Sequence, residues 1–294
     1  MTNPFASLQD RVVIITGGGR GLGKVMALAL VGEGAKVLIT GARSSAEIEA
    51  TVAEGEAIGR GAIAGMIADV ADPSDCAAVV RRAEDLFGPV EVLVNNAARA
   101  PAEQNLAERP GERPAIWDMA YDGVIRMLMT NVGGIWAMAQ AVAPGMVARG
   151  AGKIVNVSTS RRTMIHTASG IYGPCKAAVE ASSRVWADEL AGTGVTVNVL
   201  LPGGPADTAL IPGIVGNRAA KFVAGKEAPG GEGFVSGGLL PPEIMGPPML
   251  WLASDLSNGA TGRRYVARDW DADLEPNAAA VRAESSRIED PHVI

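Results

Sequence analysis

Six short apolar runs, separated by segments of about helix length, constrain the fold of this chain more than any other feature. The runs are continuous rather than alternating, which is typical of strands covered on both faces. Strands that alternate with helices predict a parallel sheet with right-handed crossovers. We therefore predict an α/β fold with a doubly wound parallel sheet. The predicted strands are 12–16, 36–40, 62–70, 90–97, 153–158 and 195–202.

Three segments interrupt this alternation. Residues 98–120 carry prolines and charges and are interpreted as an inserted loop. Residues 203–248 hold most of the late glycines and prolines, and a loop region of that length predicts a substrate lid. Residues 272–294 are polar and acidic, so we expect an extended tail lying on the surface or on a neighbouring subunit. The chain is thus predicted to form one domain over 1–271, followed by that tail.

Charge and composition argue against several classes of function. The formal net charge of −6 leaves no basic footprint, so nucleic acid is not an expected partner. No apolar run reaches about 18 residues, so no membrane span is expected. The first residues lack a basic stretch followed by an apolar one and therefore predict no signal peptide. Cys76 and Cys175 are too few for a disulfide framework and suit a reducing cytoplasm, where we expect the protein.

A glycine-rich turn, TGGGRGLG, follows the first predicted strand directly and opens a helix. Gly17, Gly21 and Gly23 have the spacing G-x-x-x-G-x-G, which differs from the usual dinucleotide fingerprint. Glycines let a pyrophosphate approach the backbone, and a helix N-terminus offers N–H groups and a positive dipole end. The alternative is a glycine turn that binds nothing, but its place after a strand favours phosphate binding.

The end of the second strand indicates which nucleotide is bound. An NAD site normally has a carboxylate about 20 residues past the glycines, where it binds the ribose 2′-hydroxyl. Gly41 stands at that place, and Arg20 and Arg43 supply positive charge instead. A 2′-phosphate requires such charge. We therefore favour NADP(H) over NAD(H), with solvated surface arginines as the alternative.

Tyr172 and Lys176 are four residues apart, so on a helix their side chains share a face. A free phenol has a pKa of about 10, and a neighbouring ammonium is expected to lower it. The pair is therefore a candidate general acid and base, unless the two residues are neighbours by chance. Ser158, Thr159 and Ser160 follow the fifth predicted strand, and each is a candidate for the hydroxyl that faces the phenol.

Taken in order, these motifs resemble the short-chain dehydrogenase/reductase family. The resemblance runs from about residue 9 to 208 and resumes at 251–255. It implies a Rossmann fold and hydride transfer between a nicotinamide cofactor and a small-molecule ketone or secondary alcohol. It also implies a homodimer or homotetramer. The motifs are TGGGRGLG at 16–23, Asp69-Val70, NNAA at 95–98, Asn131 within TNVGG, YGPCK at 172–176 and NVLLPG at 198–203.

The resemblance also implies the roles of individual residues. Tyr172 would donate the proton in reduction, and Lys176 would bind the nicotinamide ribose. Thr159 lies 13 residues before Tyr172 and 28 after Asn131, which is the spacing of the family's substrate-polarising serine. Ser158 and Ser160 stay open as alternatives. Asn131 would bend its helix and hold a water that links Lys176 to solvent.

The residues assigned to the nucleotide lie at the carboxyl ends of predicted strands, in the turns after them or on the helices that follow. They are Gly17, Gly19, Arg20, Gly21, Leu22, Gly23, Arg43, Asp69, Val70, Asn96, Ala97, Tyr172, Lys176, Pro202, Gly203 and Thr208.

Some features depart from the family pattern and leave a second function open. Ala98 replaces the last glycine of NNAG, and ARDWDAD at 267–273 replaces a C-terminal glycine pair. The two histidines, His166 and His292, are far apart, and no cluster has the spacing of metal ligands, so no metal is expected. The alternative function is a scaffold or sensor that binds NADP(H) without turnover. A methyltransferase would leave Tyr172 and Lys176 unexplained.

Overall fold

A parallel sheet of seven strands forms the centre of the molecule, in the order β3-β2-β1-β4-β5-β6-β7. The structure is a computed structural model that describes residues 3–100, 116–165, 170–208 and 239–285. The chain reverses direction across the sheet between β1 and β4, so the predicted doubly wound fold is confirmed. The strands are β1 (Val12–Ile15), β2 (Lys36–Gly41), β3 (Ala62–Ile67), β4 (Val92–Asn95), β5 (Gly152–Val157), β6 (Val195–Leu201) and β7 (Arg263–Val266).

Helices connect the strands and cover both faces of the sheet. They are α1 (Gly21–Gly32), α2 (Ser45–Ile58), α3 (Pro73–Phe87), α4 (Tyr121–Leu128), α5 (Gly134–Arg149), α6 (Arg161–Met164), α7 (Tyr172–Glu189), α8 (Gly246–Ala253) and α9 (Pro276–Ala283). A π-helical segment, Met129–Gly133, joins α4 to α5. Short 3₁₀ turns lie at Ala6–Leu8, Ile116–Asp118, Pro242–Met245, Asp255–Ser257 and Ala267–Asp269.

Two apolar clusters explain why the strands are apolar along their whole length. Ile15 packs in one cluster with Leu30 of α1 and Trp251 of α8. Its neighbour Ile14 points to the opposite face and packs with Met138 of α5 in the other cluster. Successive residues of a strand point to opposite faces, so a strand covered on both sides must be apolar throughout.

Strand β7 was missed by the sequence analysis because two charged residues interrupt its apolar character. Arg263 and Arg264 begin the strand, which pairs in parallel with β6. Its outer edge is met by the end of the chain, where Glu284 forms an antiparallel bridge with Tyr265. This contact partly covers an edge that would otherwise present unpaired backbone groups.

The prediction of an extended tail over 272–294 is wrong for residues 276–283, which form helix α9. Ala279, Ala280 and Ala283 are buried on its inner face. Asn277 accepts a hydrogen bond of 2.8 Å from the indole nitrogen of Trp251. Small side chains let α9 lie close against α8. The sequence analysis did not predict this helix because the segment as a whole is polar.

The predicted loop and lid fall largely on 101–115 and 209–238, outside the described residues. The two ends of the lid meet, because Ala206 forms a parallel bridge with Leu240. Cys76 and Cys175 are free and buried. Among the residues that the structure describes, no helix is long and apolar enough to span a membrane.

Candidate active site

A cleft of about 440 Å³ opens at the carboxyl ends of the strands. Ligands of open parallel sheets bind at this edge, where the strand order reverses. Most of the residues predicted for the site line the cleft. They are Gly17, Gly19, Arg20, Gly21, Leu22, Arg43, Asp69, Val70, Asn96, Ala97, Thr159, Tyr172, Lys176, Pro202 and Thr208.

The glycine turn has the shape of a phosphate cradle. Gly17 and Gly21 have φ angles of +65° and +55°, which favour glycine. A Cβ on Gly23 would lie 2.2 Å from the carbonyl oxygen of Gly17, so the turn packs against the start of α1 with no room for a side chain. Asn96 fixes the turn by donating to the carbonyls of Thr16, at 2.9 Å, and Gly17, at 3.0 Å. The backbone thus leaves open the space that a dinucleotide pyrophosphate needs.

The part of the cleft after β1 and β2 contains both predicted arginines and a glutamate that the sequence analysis missed. Arg20, Arg43 and Glu47 all line the cleft. The Nη1 atom of Arg20 lies 3.6 Å from Oε1 of Glu47, and both side chains are exposed. Glu47 follows Ser44, whose hydroxyl caps α2 by accepting from the backbone N–H of Glu47. The sequence Ser-x-x-Glu is the signal of such a capping box and would have placed Glu47 here.

Gly41 ends β2 without a carboxylate, and the side chain of Ile48 packs next to it. A Cβ on Gly41 would lie 3.3 Å from Cδ1 of Ile48, which packs beneath the strand end. Arg20, Arg43 and Glu47, which follow β1 and β2, are among the charged residues that line the cleft.

Arg99 is a second cleft residue that the sequence analysis missed. Its Nη2 atom lies 3.8 Å from Oδ2 of Asp69, and its Nε donates to the hydroxyl of Thr130 at 2.9 Å. These contacts join residues that follow β3, β4 and α4. No local pattern signals a residue whose partners are 30 or more positions away.

Asn131 lies beside the cleft rather than on its wall. It is buried in the π-helical segment that separates α4 from α5. Its side chain accepts from the backbone N–H of Arg99 at 2.7 Å and donates to the carbonyl of Arg99 at 3.0 Å. The amide therefore fastens the π-helical segment to the residues after β4. Gly23 and Gly203 likewise do not line the cleft.

Thr208 lines the cleft, whereas Gly203 packs next to β7. Thr208 lies against the glycine turn, with its Cγ2 3.3 Å from where a Cβ of Gly21 would be. Gly203 has a φ of +91°, and a Cβ there would lie 2.5 Å from the side chain of Val266. The chain therefore turns sharply after Pro202 and passes close to β7.

Tyr172 and Lys176 lie together in the cleft, as their spacing predicted. Tyr172 is the first residue of α7, and the Nζ atom of Lys176 lies 5.8 Å from the centroid of its ring. Lys176 is buried, and its ammonium donates to the carbonyl of Val157 at 2.7 Å. Burial lowers the pKa of Lys176 to about 8, against the opposing effects of Cys175 and Glu180.

The expectation that Lys176 lowers the pKa of Tyr172 is wrong for this structure. Burial raises the pKa of the phenol to about 12, and Cys175 adds to the increase. The ammonium is directed at a carbonyl of β5 rather than at the phenol oxygen. Desolvation disfavours the charged form of a tyrosine, so here it decides the direction.

Hydrogen bonds distinguish the three hydroxyls after β5. Ser158 donates to Oε1 of Glu180 at 2.8 Å. Ser160 caps α6 by accepting from the N–H of Thr163 at 3.2 Å. Within the part of the chain that the structure describes, the hydroxyl of Thr159 has no hydrogen-bond partner, and the residue lines the cleft with Tyr172. His166, which follows this segment, lies outside the described residues.

The described parts of the chain contain no group of three or more His, Cys, Asp or Glu residues that could hold a metal ion.

Known proteins share sequence with this chain over most of its length. A family model for short chain dehydrogenase matches residues 11–214. A short-chain type dehydrogenase/reductase of Picea abies is 35% identical over 202 residues, which cover 67% of this chain and 71% of that protein. An NADPH-dependent aldehyde reductase 2, chloroplastic, of Arabidopsis thaliana is 32% identical over 213 residues, covering 69% and 75%.

A solved structure extends the similarity to the fold. The crystal structure of a short chain dehydrogenase from Burkholderia cenocepacia J2315, in complex with NADP, matches with a TM-score of 0.70 and 27% identity. The match covers 88% of this chain and 96% of that one.

Proposed function

The chain belongs to the short-chain dehydrogenase/reductase family, and from this premise we propose that it reduces a small-molecule ketone with NADPH, or oxidises the matching secondary alcohol. The observation that carries the proposal is the placement of Tyr172 and Lys176 in the same cleft as the glycine turn. Nucleotide binding alone does not require the phenol of Tyr172 beside Lys176.

The environment of Tyr172 supports its role as the proton donor. With a pKa raised to about 12, the phenol keeps its proton throughout the neutral range. Reduction adds a hydride to the carbonyl carbon and a proton to the carbonyl oxygen, so a protonated Tyr172 is ready for that direction. The hydroxyl of Thr159 would donate a hydrogen bond to the same oxygen and hold it in place.

The fit of the cleft to a dinucleotide supports the choice of cofactor. The turn from Gly17 to Gly21 would hold the pyrophosphate, Asp69 and Val70 the adenine, and Lys176 the nicotinamide ribose. A bound nicotinamide would supply the hydride. Asn131 would act by holding the Arg99 backbone against the π-helical segment.

NADP(H) is preferred in this proposal because Arg20 and Arg43 line the cleft near the end of β2. Glu47 lies 3.6 Å from Arg20, where its carboxylate would oppose a phosphate. The names of two relatives point the same way, since one is an NADPH-dependent reductase and the other was solved with NADP.

The exposed apolar face on α5 and α7 supports assembly as a homodimer or homotetramer. These helices adjoin, because the rings of Trp136 and Trp186 meet edge to face with centroids 5.0 Å apart. Trp136 and Val185 nevertheless remain exposed on this face. Apolar surface of this kind is typical of an interface between subunits.

Replacement of Val185 by lysine tests this interface. We expect Val185→Lys to weaken self-association by at least about tenfold, because a charge would be buried between subunits. Val281→Lys makes the same change on exposed α9 and is the control. Analytical ultracentrifugation measures both variants. A monomeric parent protein, or equal association of the two variants, would contradict the proposed interface.

Nucleotide titration tests the cofactor preference. The parent protein should bind NADPH more tightly than NADH, and Arg43→Met should weaken NADPH binding about tenfold because a charge-assisted hydrogen bond is lost. NADH binding should not change. Arg60→Met alters an exposed arginine outside the cleft and should affect neither nucleotide. Equal weakening of NADPH and NADH by Arg43→Met would show that this residue does not recognise the 2′-phosphate.

Tyr172→Phe separates an enzyme from a nucleotide-binding scaffold. We expect kcat to fall by about a hundredfold or more, because the proton donor is lost. The dissociation constant for NADPH should stay within about twofold, since the ring remains. Tyr121→Phe, at an exposed position on α4, is the matched control. Steady-state reduction of a carbonyl panel gives the rates, and turnover that survives in Tyr172→Phe would disprove the mechanism.

A further inference from the structure

A buried ion pair lies directly behind the cleft and takes no part in the chemistry described so far. The Nε atom of Arg264 on β7 donates to Oε1 of Glu180 on α7 at 3.0 Å. The two side chains are only 6% and 13% exposed. Burying two charges has a desolvation cost that their attraction does not always offset, so such a pair is weak evidence of a purely stabilising role.

Both members of the pair hold the segment that carries the site hydroxyls. Glu180 accepts the hydroxyl hydrogen of Ser158 at 2.8 Å. Arg264 donates from Nη2 to the backbone carbonyl of Thr159 at 3.1 Å. Two consecutive residues at the end of β5 are therefore fixed, one by its side chain and the next by its backbone. The hydroxyl of Thr159 takes no part in these bonds.

Glu180 lies on the same helix as Tyr172 and Lys176, so its bond to Ser158 connects the segment after β5 to both residues. Glu180 lies one turn after Lys176 and two turns after Tyr172, so one helix carries all three residues. The bond from Ser158 to Glu180 thus ties the hydroxyl segment to the helix that holds the phenol and the ammonium. Glu180 also opposes the lowering of the Lys176 pKa by burial, and Arg264 and Lys176 are the cations near its carboxylate.

Ser285 contacts the arginine on the side away from Thr159 and Glu180. Nη1 of Arg264 donates to the hydroxyl of Ser285 at 2.9 Å, and the N–H of Ser285 donates to the carbonyl of Arg264 at the same distance. Each of the three nitrogens of this guanidinium therefore has a different partner. A planar group with fixed donors suits this task, and a lysine would not replace it.

We propose that the Glu180–Arg264 pair is a positioning unit, which holds Ser158 and the Thr159 backbone so that the Thr159 hydroxyl faces the reacting carbonyl. The catalytic part of this inference rests on the proposed function. The structural part, that the pair restrains the segment after β5, stands on the hydrogen bonds alone.

Hydrogen exchange tests the structural part without any substrate. The double variant Glu180→Leu with Arg264→Met removes both charges at once, so neither member of the pair is left without the other. We expect the backbone amides of residues 158–164 to exchange about tenfold faster in this variant, because local opening becomes easier. Ser285→Ala removes one partner of Arg264 without touching Ser158 or Thr159, and it should leave exchange in this segment unchanged.

Kinetics of the same variants test the catalytic part. With a carbonyl that the parent protein reduces, kcat of the double variant should fall by about tenfold or more, while KM and the NADPH dissociation constant change by less than about threefold. Ser285→Ala should retain the parent kcat. If the double variant does not fold, Ser158→Ala removes one of the two restraints and should still accelerate exchange in 159–164.

Unchanged exchange in a folded double variant would overturn the proposal whatever its activity. Faster exchange with an unchanged kcat would overturn the positioning role, because loss of the restraint on the segment would then not affect catalysis. A parent protein that reduces no carbonyl would count against the proposed function, and the exchange result would still decide whether the pair restrains the segment.

Discussion

The hydrogen bond from the Lys176 ammonium to the carbonyl of Val157 fastens α7, which carries Tyr172, to the end of β5. It is 2.7 Å long and fully buried, where such a bond is stronger than in water. Val157 is the last residue of β5, and Lys176 lies one turn into α7. Tyr172 at the start of α7 and the hydroxyls after β5 are therefore held at the same strand end.

Burial in this arrangement shifts the pKa values of Lys176 and Tyr172. Burial lowers the pKa of Lys176 to about 8 and raises that of Tyr172 to about 12. Both shifts disfavour charge, yet each group keeps its proton at neutral pH. The pair therefore presents a neutral phenol beside a mostly charged ammonium. This is the state that suits proton donation in reduction, and it differs from the lowered phenol pKa that the sequence alone suggested.

The sequence predicted much of the fold because the signals of the fold are local. Six continuous apolar runs mark strands covered on both faces, and β7 escaped because Arg263 and Arg264 break its run. The glycine turn, Tyr172 and Lys176 were found by spacing. Arg99 and the Glu180–Arg264 pair were not found, because their partners come from distant segments. Thr159 was assigned by its spacing from Tyr172 and Asn131 and stays a prediction, which the bonds of Ser158 and Ser160 to other groups support.

The most direct test of the account is the transfer of a labelled hydride. The protein is incubated with NADPH that carries deuterium at C4 of the nicotinamide, in both stereochemical forms, and with a panel of ketones. Mass spectrometry of the products then measures the label. We expect one deuterium on the carbinol carbon of a product, from one of the two forms, and label transfer at least about a hundredfold slower with Tyr172→Phe. NADPH binding without label transfer to any ketone would contradict it and favour a nucleotide-binding scaffold.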